Sequence, residues 1–296
     1  HAMPINNTVA TSNVFLELGG KPTATLRSVT LPGIQVQQVV VPRGPNGEPR
    51  LGRDATLTEL ALTLPLNQAD SLGDWLLAVG TGKDPKPADA AVLVADFNFK
   101  LQRRIECAET WITQVQLPVL DARDGKAALE LDLRCQPARV AYAQLGSNAG
   151  KVVAGPSPKA KQLMAGNFRV KGLPFGDASH VVRVALPTLA VELAGSPASV
   201  ARVDLGEVEI TLSRAGVDAA LAWVLKAASD GQVSDAEVLS LDIELLDPAL
   251  KKVLLTVQLG GCVLTRFQED PLDARKETLG GATLRFAVGR VGMVFA

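Results

Sequence analysis

Histidine is nearly absent from this chain. Of its two, His1 belongs to His1-Ala2-Met3, which reads as the remnant of a cleaved expression tag, and only His180 remains. One histidine cannot build a two-histidine metal site or a repeated Ser-His-Asp arrangement. Cysteine is as sparse. Cys107, Cys135 and Cys262 are an odd number, none close to another, each in an apolar-patterned stretch, which predicts buried thiols in a reducing compartment. Aromatic residues make up 4% of the chain and no Arg or Lys run accompanies them, so no base-stacking platform is expected. Thirty basic residues stand against 31 acidic ones, a net charge of −1, and no global field draws the protein to nucleic acid or an anionic membrane. No apolar run reaches the roughly 18 residues of a spanning helix, and no basic-then-apolar leader opens the sequence. These absences predict a cytoplasmic protein with no cofactor, no metal site and no catalytic constellation.

What is present is an internal repeat. Leu57–Lys83, LTELALTLPLNQADSLGDWLLAVGTGK, returns as LGEVEITLSRAGVDAALAWVLKAASDG over Leu205–Gly231, at the offset of 148 residues that separates Glu59 from Glu207. Leu57, Glu59, Thr63, Leu64, Asp70, Trp75 and Leu77 fall on Leu205, Glu207, Thr211, Leu212, Asp218, Trp223 and Leu225, where typical residue usage gives about one or two chance identities. A chain of 296 residues suits two domains of about 150. The repeat places them at 13–145 and 167–296, after a tag and tail over 1–12, with a Gly-, Ser-, Pro- and Ala-rich linker over 146–166.

Taken in order, Phe15–Leu18 and Ser28–Val41 read as extended, with a bend at Pro32-Gly33. Val41–Thr56 is dense in Pro, Gly and Arg and is expected as a long surface loop, whose Arg43, Arg50 and Arg53 suit a solvated loop or a contact arm to a neighbouring subunit. Leu60, Leu62 and Leu64 then alternate with polar residues as a half-buried strand. Leu72, Trp75, Leu76 and Val79 follow at helical spacing, with Asn67 as the expected N-cap and Gly80 and Gly82 as the stop. Ala220, Trp223, Val224 and Ala227 repeat the stripe. Ala91–Ile105, Glu109–Leu120 and Ala128–Cys135 alternate as amphipathic strands. Leu93, Ala95 and Phe97 are matched to Leu241, Ile243 and Leu245 at the same offset of 148, and LDAR at Leu120 returns at Leu272 after 152.

Gly80-Thr-Gly-Lys83 superficially has the tail of a phosphate loop. Leu77 stands where the earlier glycine is needed, no Ser or Thr follows Lys83, and the glycines end a helix where a phosphate site must begin one. The pairs Asp121/Asp124 and Asp270/Asp273 have turn chemistry, with calcium binding the sharper alternative.

The order within each half is a strand pair, a loop, an LTL-type strand leading through an acidic residue and Trp into one helix, then amphipathic strands. Through Leu62-Thr-Leu64 with Asp70, Leu72 and Trp75, then Trp111, Leu117-Pro118 and Ala128-Leu-Glu-Leu131, the chain resembles the tail tube proteins of contractile phages, the type VI secretion tube and extracellular contractile injection particles. Ile210-Thr-Leu212 with Trp223 carries the resemblance in the second half, where Val263 replaces Trp111 and the Leu-Pro pair is lost. The resemblance implies a mainly β fold, two tandem barrel or sandwich domains each with one packed helix, in a family where six copies close a ring around a channel. A chain with two copies would need three subunits, and three chains of 31.1 kDa give about 93 kDa. Glu59, Thr63, Glu207 and Thr211 are then candidates for the channel face. The partners implied are the chain itself and other tube, sheath or baseplate proteins, in a tube, a tube-terminal ring or a baseplate adaptor. The alternative is a monomeric binding or cargo-adaptor module of the same fold; an enzyme with a site between subunits is a third class, for which no residue stands out.

Overall fold

The computed structural model describes residues 13–41, 48–143, 145, 150–153, 161–176, 178–195, 198–229, 238–271 and 280–296. The period-two alternation yields a mainly β chain, with twenty strands and two α-helices among the described residues. In order they are β1 (Asn13–Leu18), β2 (Lys21–Thr25), β3 (Ser28–Thr30), β4 (Ile34–Val41), β5 (Glu48–Leu57), β6 (Leu60–Pro65), α1 (Gly73–Thr81), β7 (Ala88–Ala95), β8 (Leu101–Gln116), β9 (Val119–Asp121), β10 (Glu130–Gln136) and β11 (Arg139–Tyr142). They continue as β12 (Phe168–Lys171), β13 (Val181–Ala185), β14 (Thr188–Ala194), β15 (Ser199–Asp204), β16 (Glu207–Leu212), α2 (Arg214–Ser229), β17 (Leu239–Leu246), β18 (Val253–Glu269), β19 (Ala282–Ala287) and β20 (Arg290–Phe295). One α-helix follows β6 and one follows β16, as the spacing predicts.

Contacts divide the chain into two units. One comprises His1–Thr63, Pro87–Ile112 and Leu133–Pro156; the other comprises Leu64–Lys86, Thr113–Asp132 and Ser157–Ala296. In the first, β1 pairs with β2 and β7, β7 with β8, β11 with β8, and β3 with β6, all antiparallel. Its core includes Phe15, Leu93, Ala95, Leu101 and Val153. In the second, β12, β17, β18, β19, β16, β13 and β9 lie side by side and β20 pairs β18. Its core includes Leu120, Leu189, Ile210, Leu284 and Phe286, with Trp223 of α2 lying 6.4 Å from the Phe286 ring and 5.9 Å from Phe175.

Three local expectations change. The Pro- and Arg-rich stretch is half strand: 48–57 is β5, paired with β4 from Ile34↔Leu57 to Val41↔Glu48. A proline can be tolerated in such a two-stranded sheet because each strand has one outer edge, where a missing donor breaks no ladder. Lys21–Thr25, not expected as a strand, is an edge strand whose Pro22 faces Glu17 beside a bulge. Asn67 does not cap α1. A 3-10 turn over Leu66–Leu72 intervenes, and the Asn67 amide donates to Lys161 O at 3.1 Å.

Two similar turns lie at corresponding places in the halves. Asp96 Oδ1 accepts the N–H groups of Asn98 and Lys100, and Phe99 donates its N–H to Asp96 O with φ +61°. Asp247 Oδ1 accepts from Lys251 and Lys252, and Leu250 donates to Asp247 O with φ +57°. These turns differ by 151 residues, as from Asp96 to Asp247. The offset of 148 expected for Leu93 and Leu241 differs from this by three residues. Of the segment expected as a linker, 150–153 and 161–166 are described: Leu101 donates to Lys151 O, Leu129 to Leu163 O and Asp121 to Ala165 O, with Val153, Leu163 and Ala165 buried.

Helix α1 ends as its glycines predict, with Gly82 left-handed at φ +64° and its N–H directed at Ala78 O and Val79 O. Leu72, Leu76 and Val79 are buried, and α1 packs on β20 and β14. Gly80 has a different role from the expected stop. A Cβ there would lie 2.5 Å from Val291 O, so the helix seats against the β20 backbone only because residue 80 has no side chain. Gly80→Ala is expected to destabilise the fold by about 1–3 kcal/mol despite the roughly 1 kcal/mol gain in helix propensity, lowering the melting temperature by several degrees. Calorimetry checks this; a raised melting temperature would mean that propensity alone governs the site.

Candidate functional site

Three surfaces hold the features that could do work. The first is a strand junction. Strand β14 pairs its inner edge with β15 and its outer edge with the end of β8, through Thr188↔Gln116, Leu189↔Val115 and Ala190↔Gln114. Just before it, β13 pairs with β16 on one side and β9 on the other, through Arg183↔Asp121, Val184↔Leu120 and Ala185↔Val119. The stretch 183–190 thus runs antiparallel to 114–121. Val115, Leu120, Val184 and Leu189 are buried along it. Gly206, at φ +64° before β16, allows the close turn: a Cβ there would sit 2.5 Å from Thr188 O.

The second surface is the polar face of β16. Alternation turns Val208, Ile210 and Leu212 into the core and sets Glu207, Glu209 and Thr211 opposite. Glu209 is held by two arginines: Arg183 Nη1 donates at 3.1 Å, and Arg285 Nε and Nη2 lie at 3.0 and 2.9 Å. Glu207 is exposed and accepts from Thr265 Oγ1 at 2.7 Å; Thr211 stands between Arg183 and Thr283 in the ladder. The structure therefore gathers Glu207 and Thr211 on one face and adds Glu209, Arg183 and Arg285, which the sequence reading passed over although Glu209 lies in the same alternating register. Of the other two residues, Glu59 is half-buried and 3.6 Å from Arg134, and Thr63 is half-buried and paired with Ser28. Arg50 and Arg53 lie on β5, and Arg43 lies outside the described residues.

The third surface is an apolar groove beside α1, walled by Leu76, Leu77, Leu189, Val291, Met293 and Phe295. Leu77 is half exposed there, as is Leu225 on α2.

Two buried carboxylates, Glu17 and Glu244, are paired with cations among the described residues. Glu17 is buried and held by Arg104 through two contacts of 2.7 Å, with Glu106 on the Arg104 Nε; the Glu17 hydrogen bond raises the Arg104 pKa further above its usual value. Glu244 is buried beside Arg169 and Lys171; burial favours its neutral form, but the two cations outweigh it and its pKa falls below the usual carboxylate range. The acidic turn residues are engaged in turn formation. Asp121 binds the Arg123 guanidinium and backbone, which hold it at about 2, and Asp124 accepts the N–H groups of Lys126 and Ala127. Asp270 accepts from Gly281 N, while Asp273 lies outside the described residues. Among the described residues no group of three or more His, Cys, Asp or Glu side chains is placed to hold a metal ion, and no helix is long and apolar enough to cross a membrane. The three thiols are buried and free, with burial pushing Cys107 and Cys262 up to about 11 and Cys135 further.

Three carboxyls thus sit low in the folded state: Asp121 through Arg123, Glu244 through Lys171 and Arg169 against burial, and Asp247 through the backbone N–H groups of Lys251 and Lys252. Their contribution to stability is complete above the unfolded values of about 4 and is lost as pH falls through the folded ones. Melting temperature should therefore drop between pH 5 and about pH 2, and Asp121→Asn should show a smaller drop over that interval. A circular-dichroism melt at several pH values measures both, and an unchanged pH slope in the variant would remove Asp121 from the account.

No protein-family model matches the sequence, and no curated protein matches it. Solved structures similar to it include a chain of the anti-feeding prophage cap, the tube-terminating cap, at 15% identity and a TM-score of 0.35, covering 49% of this chain and 95% of that one. A chain of the sheath-tube complex of the extracellular contractile injection system PVC, in its extended state, is similar at 15% identity and a TM-score of 0.34, covering 49% and 95%. A chain of the PVC sheath/tube terminator is similar at 15% identity and a TM-score of 0.34, covering 48% and 99%.

Proposed function

We propose that the chain is a non-catalytic, ring-forming subunit of a phage-tail-like contractile injection apparatus. In this reading it holds two tandem copies of a tube-like domain, 13–145 and 167–296, and three chains close a ring with pseudo-sixfold symmetry. The ring belongs to the tube, its terminus or a baseplate adaptor, and its partners are further copies and other tube, sheath or baseplate proteins of the kinds named above, assembled in the cytoplasm.

The observation that carries this reading is the strand junction, where β13 and β14 of the second half extend along β9 and β8 of the first. Such a joint is how one copy of a ring protein continues the sheet of its neighbour. The duplication has independent support in backbone detail. The long strands β8 and β18 each contain a left-handed residue beside a register shift, Glu109 at φ +50° and Gly261 at φ +68°, 152 residues apart like the two LDAR sequences. Side chains with positive φ are rare enough that Glu109 would not adopt it by accident. The charged face of Glu207, Glu209 and Thr211 with Arg183 and Arg285, and Glu59 and Thr63 in the first copy, are the proposed channel-facing positions. Arg43, Arg50 and Arg53 belong to the segment proposed to reach a neighbouring subunit.

Light scattering on the purified chain, with negative-stain microscopy, tests the reading. The expected result is a particle of about 93 kDa with threefold rings. A 31.1 kDa monomer at high concentration, with no rings on the grid, would overturn it and leave the monomeric binding module.

A further inference from the structure

The β4–β5 hairpin occupies the place in the first half that β14–β15 occupies in the second. Leu31-Pro32 leads into β4 as Leu186-Pro187 leads into β14, an offset of 155 that sets Gly33 on Thr188, Ile34 on Leu189, Gln35 on Ala190 and Val36 on Val191. Each hairpin uses one edge internally. The outer edge of β14 is bonded to β8, but β4 and β5 form a sheet of their own with no third strand among the described residues. Strand β3 repeats the contrast: it ends its sheet, whereas its counterpart β13 continues to β9.

Side-chain exposure follows the missing partner. Leu189 and Val191 are 1% and 5% exposed, while Ile34 and Val36 are 72% and 42% exposed. The complementary edge is also open. The end of β8 corresponds to the end of β18 at the offset of 152, so Gln114, Val115 and Gln116 fall on Arg266, Phe267 and Gln268. Beyond Cys262, β18 pairs only with β19 among the described residues. Val115 is buried; Phe267 is half-buried, and Val263 is exposed.

The geometry points to one occupant for both edges, a second copy of this chain. The outer edge of β4 adds to the end of β18 of the neighbouring chain, antiparallel, with Gly33 opposite Gln268, Ile34 opposite Phe267 and Gln35 opposite Arg266. This is the register of the in-chain joint, transferred by the two offsets. It buries Ile34 and Val36, supplies main-chain partners to both edges and gives each chain one donor hairpin and one acceptor strand. The contact is heterologous, so it runs head to tail and either closes or continues as a filament. It rests on the ring reading for its closure after three chains, but not for the contact itself.

The test uses two full-length variants, Gln35→Cys and Arg266→Cys, each carrying one exposed thiol in addition to the three buried native ones. Residues directly opposite in an antiparallel pair have Cβ atoms about 4.5–5.5 Å apart, close enough for a disulfide after a small adjustment. Mixed and mildly oxidised, the variants are expected to give a 35–266 disulfide between different chains, identified by peptide mass spectrometry. Ile34→Asp, at a surface position of the single chain, is expected to keep the wild-type melting curve and lose the assembled species at concentrations where wild type assembles. Threefold rings that form without the 35–266 link, and that persist in Ile34→Asp, would overturn this contact and leave the ring reading standing. A 35–266 link in open chains without threefold rings would do the reverse. A monomer that gives no link would overturn both.

Discussion

The constraint on which this structure depends is the hydrogen-bonding demand of strand edges. An antiparallel strand exposes a row of N–H and C=O groups on each side, and a chain with twenty strands among its described residues must pair, cover or displace them all. Strand β8 shows how the demand shapes the fold. Its first half is flanked by β7 and β11, and after the bend at Glu109 its last residues gain β14. One sixteen-residue strand thereby serves successive neighbours. Strand β18 bends at Gly261 in the same way, passing from β17 and β20 to β19. In both strands the left-handed residue coincides with the register shift near which the partners change.

Charge is distributed to suit that scheme. Facing polar residues on β16 and β19 are neutralised in place, Glu209 between Arg183 and Arg285, so a carboxylate on a sheet face is compensated by residues on both adjacent strands. Exposed ion pairs of this kind add only about 0–1 kcal/mol each. Their value lies in specifying register, since a one-residue slip of β16 would turn Glu209 into the core and Val208 and Ile210 out. The helices are fixed by shape instead. Gly80 lets α1 approach the β20 backbone, and Trp223 of α2 stacks between Phe175 and Phe286.

Local order in the sequence made much of this legible. Alternating apolar residues marked β6, β10 and β16, and the stripes through Leu76 and Ala220 marked both helices, because side-chain period is set by backbone geometry within a few residues. Where composition competed with pattern, reading failed: Pro22 and Pro49 concealed two edge strands, and Asn67 offered a cap that the 3-10 turn made unnecessary. The similar turns at Asp96 and Asp247 lie 151 residues apart against the expected offset of 148, and only their hydrogen bonding makes them visible. The joint at Thr188↔Gln116 was not legible at all. Nothing in either segment names a partner seventy-two residues away in sequence.

That last point bears on how a duplicated chain can encode assembly. Ile34 and Leu189 follow the same Leu-Pro step and are equally apolar, so their environments cannot be distinguished by residue type. In the proposed tandem reading the difference has a simple origin, since covalent linkage brings only one of the two joints within the chain: the second hairpin and the first acceptor strand are paired internally, and the first hairpin and the second acceptor strand are left for a neighbour. An exposed hairpin with Ile34 and Val36 at its edge would be an aggregation liability in a protein that remained single. In the proposed assembly the same edge becomes a contact between chains, and whether repetition of that one contact closes a ring or continues as a filament depends on the rotation it imposes.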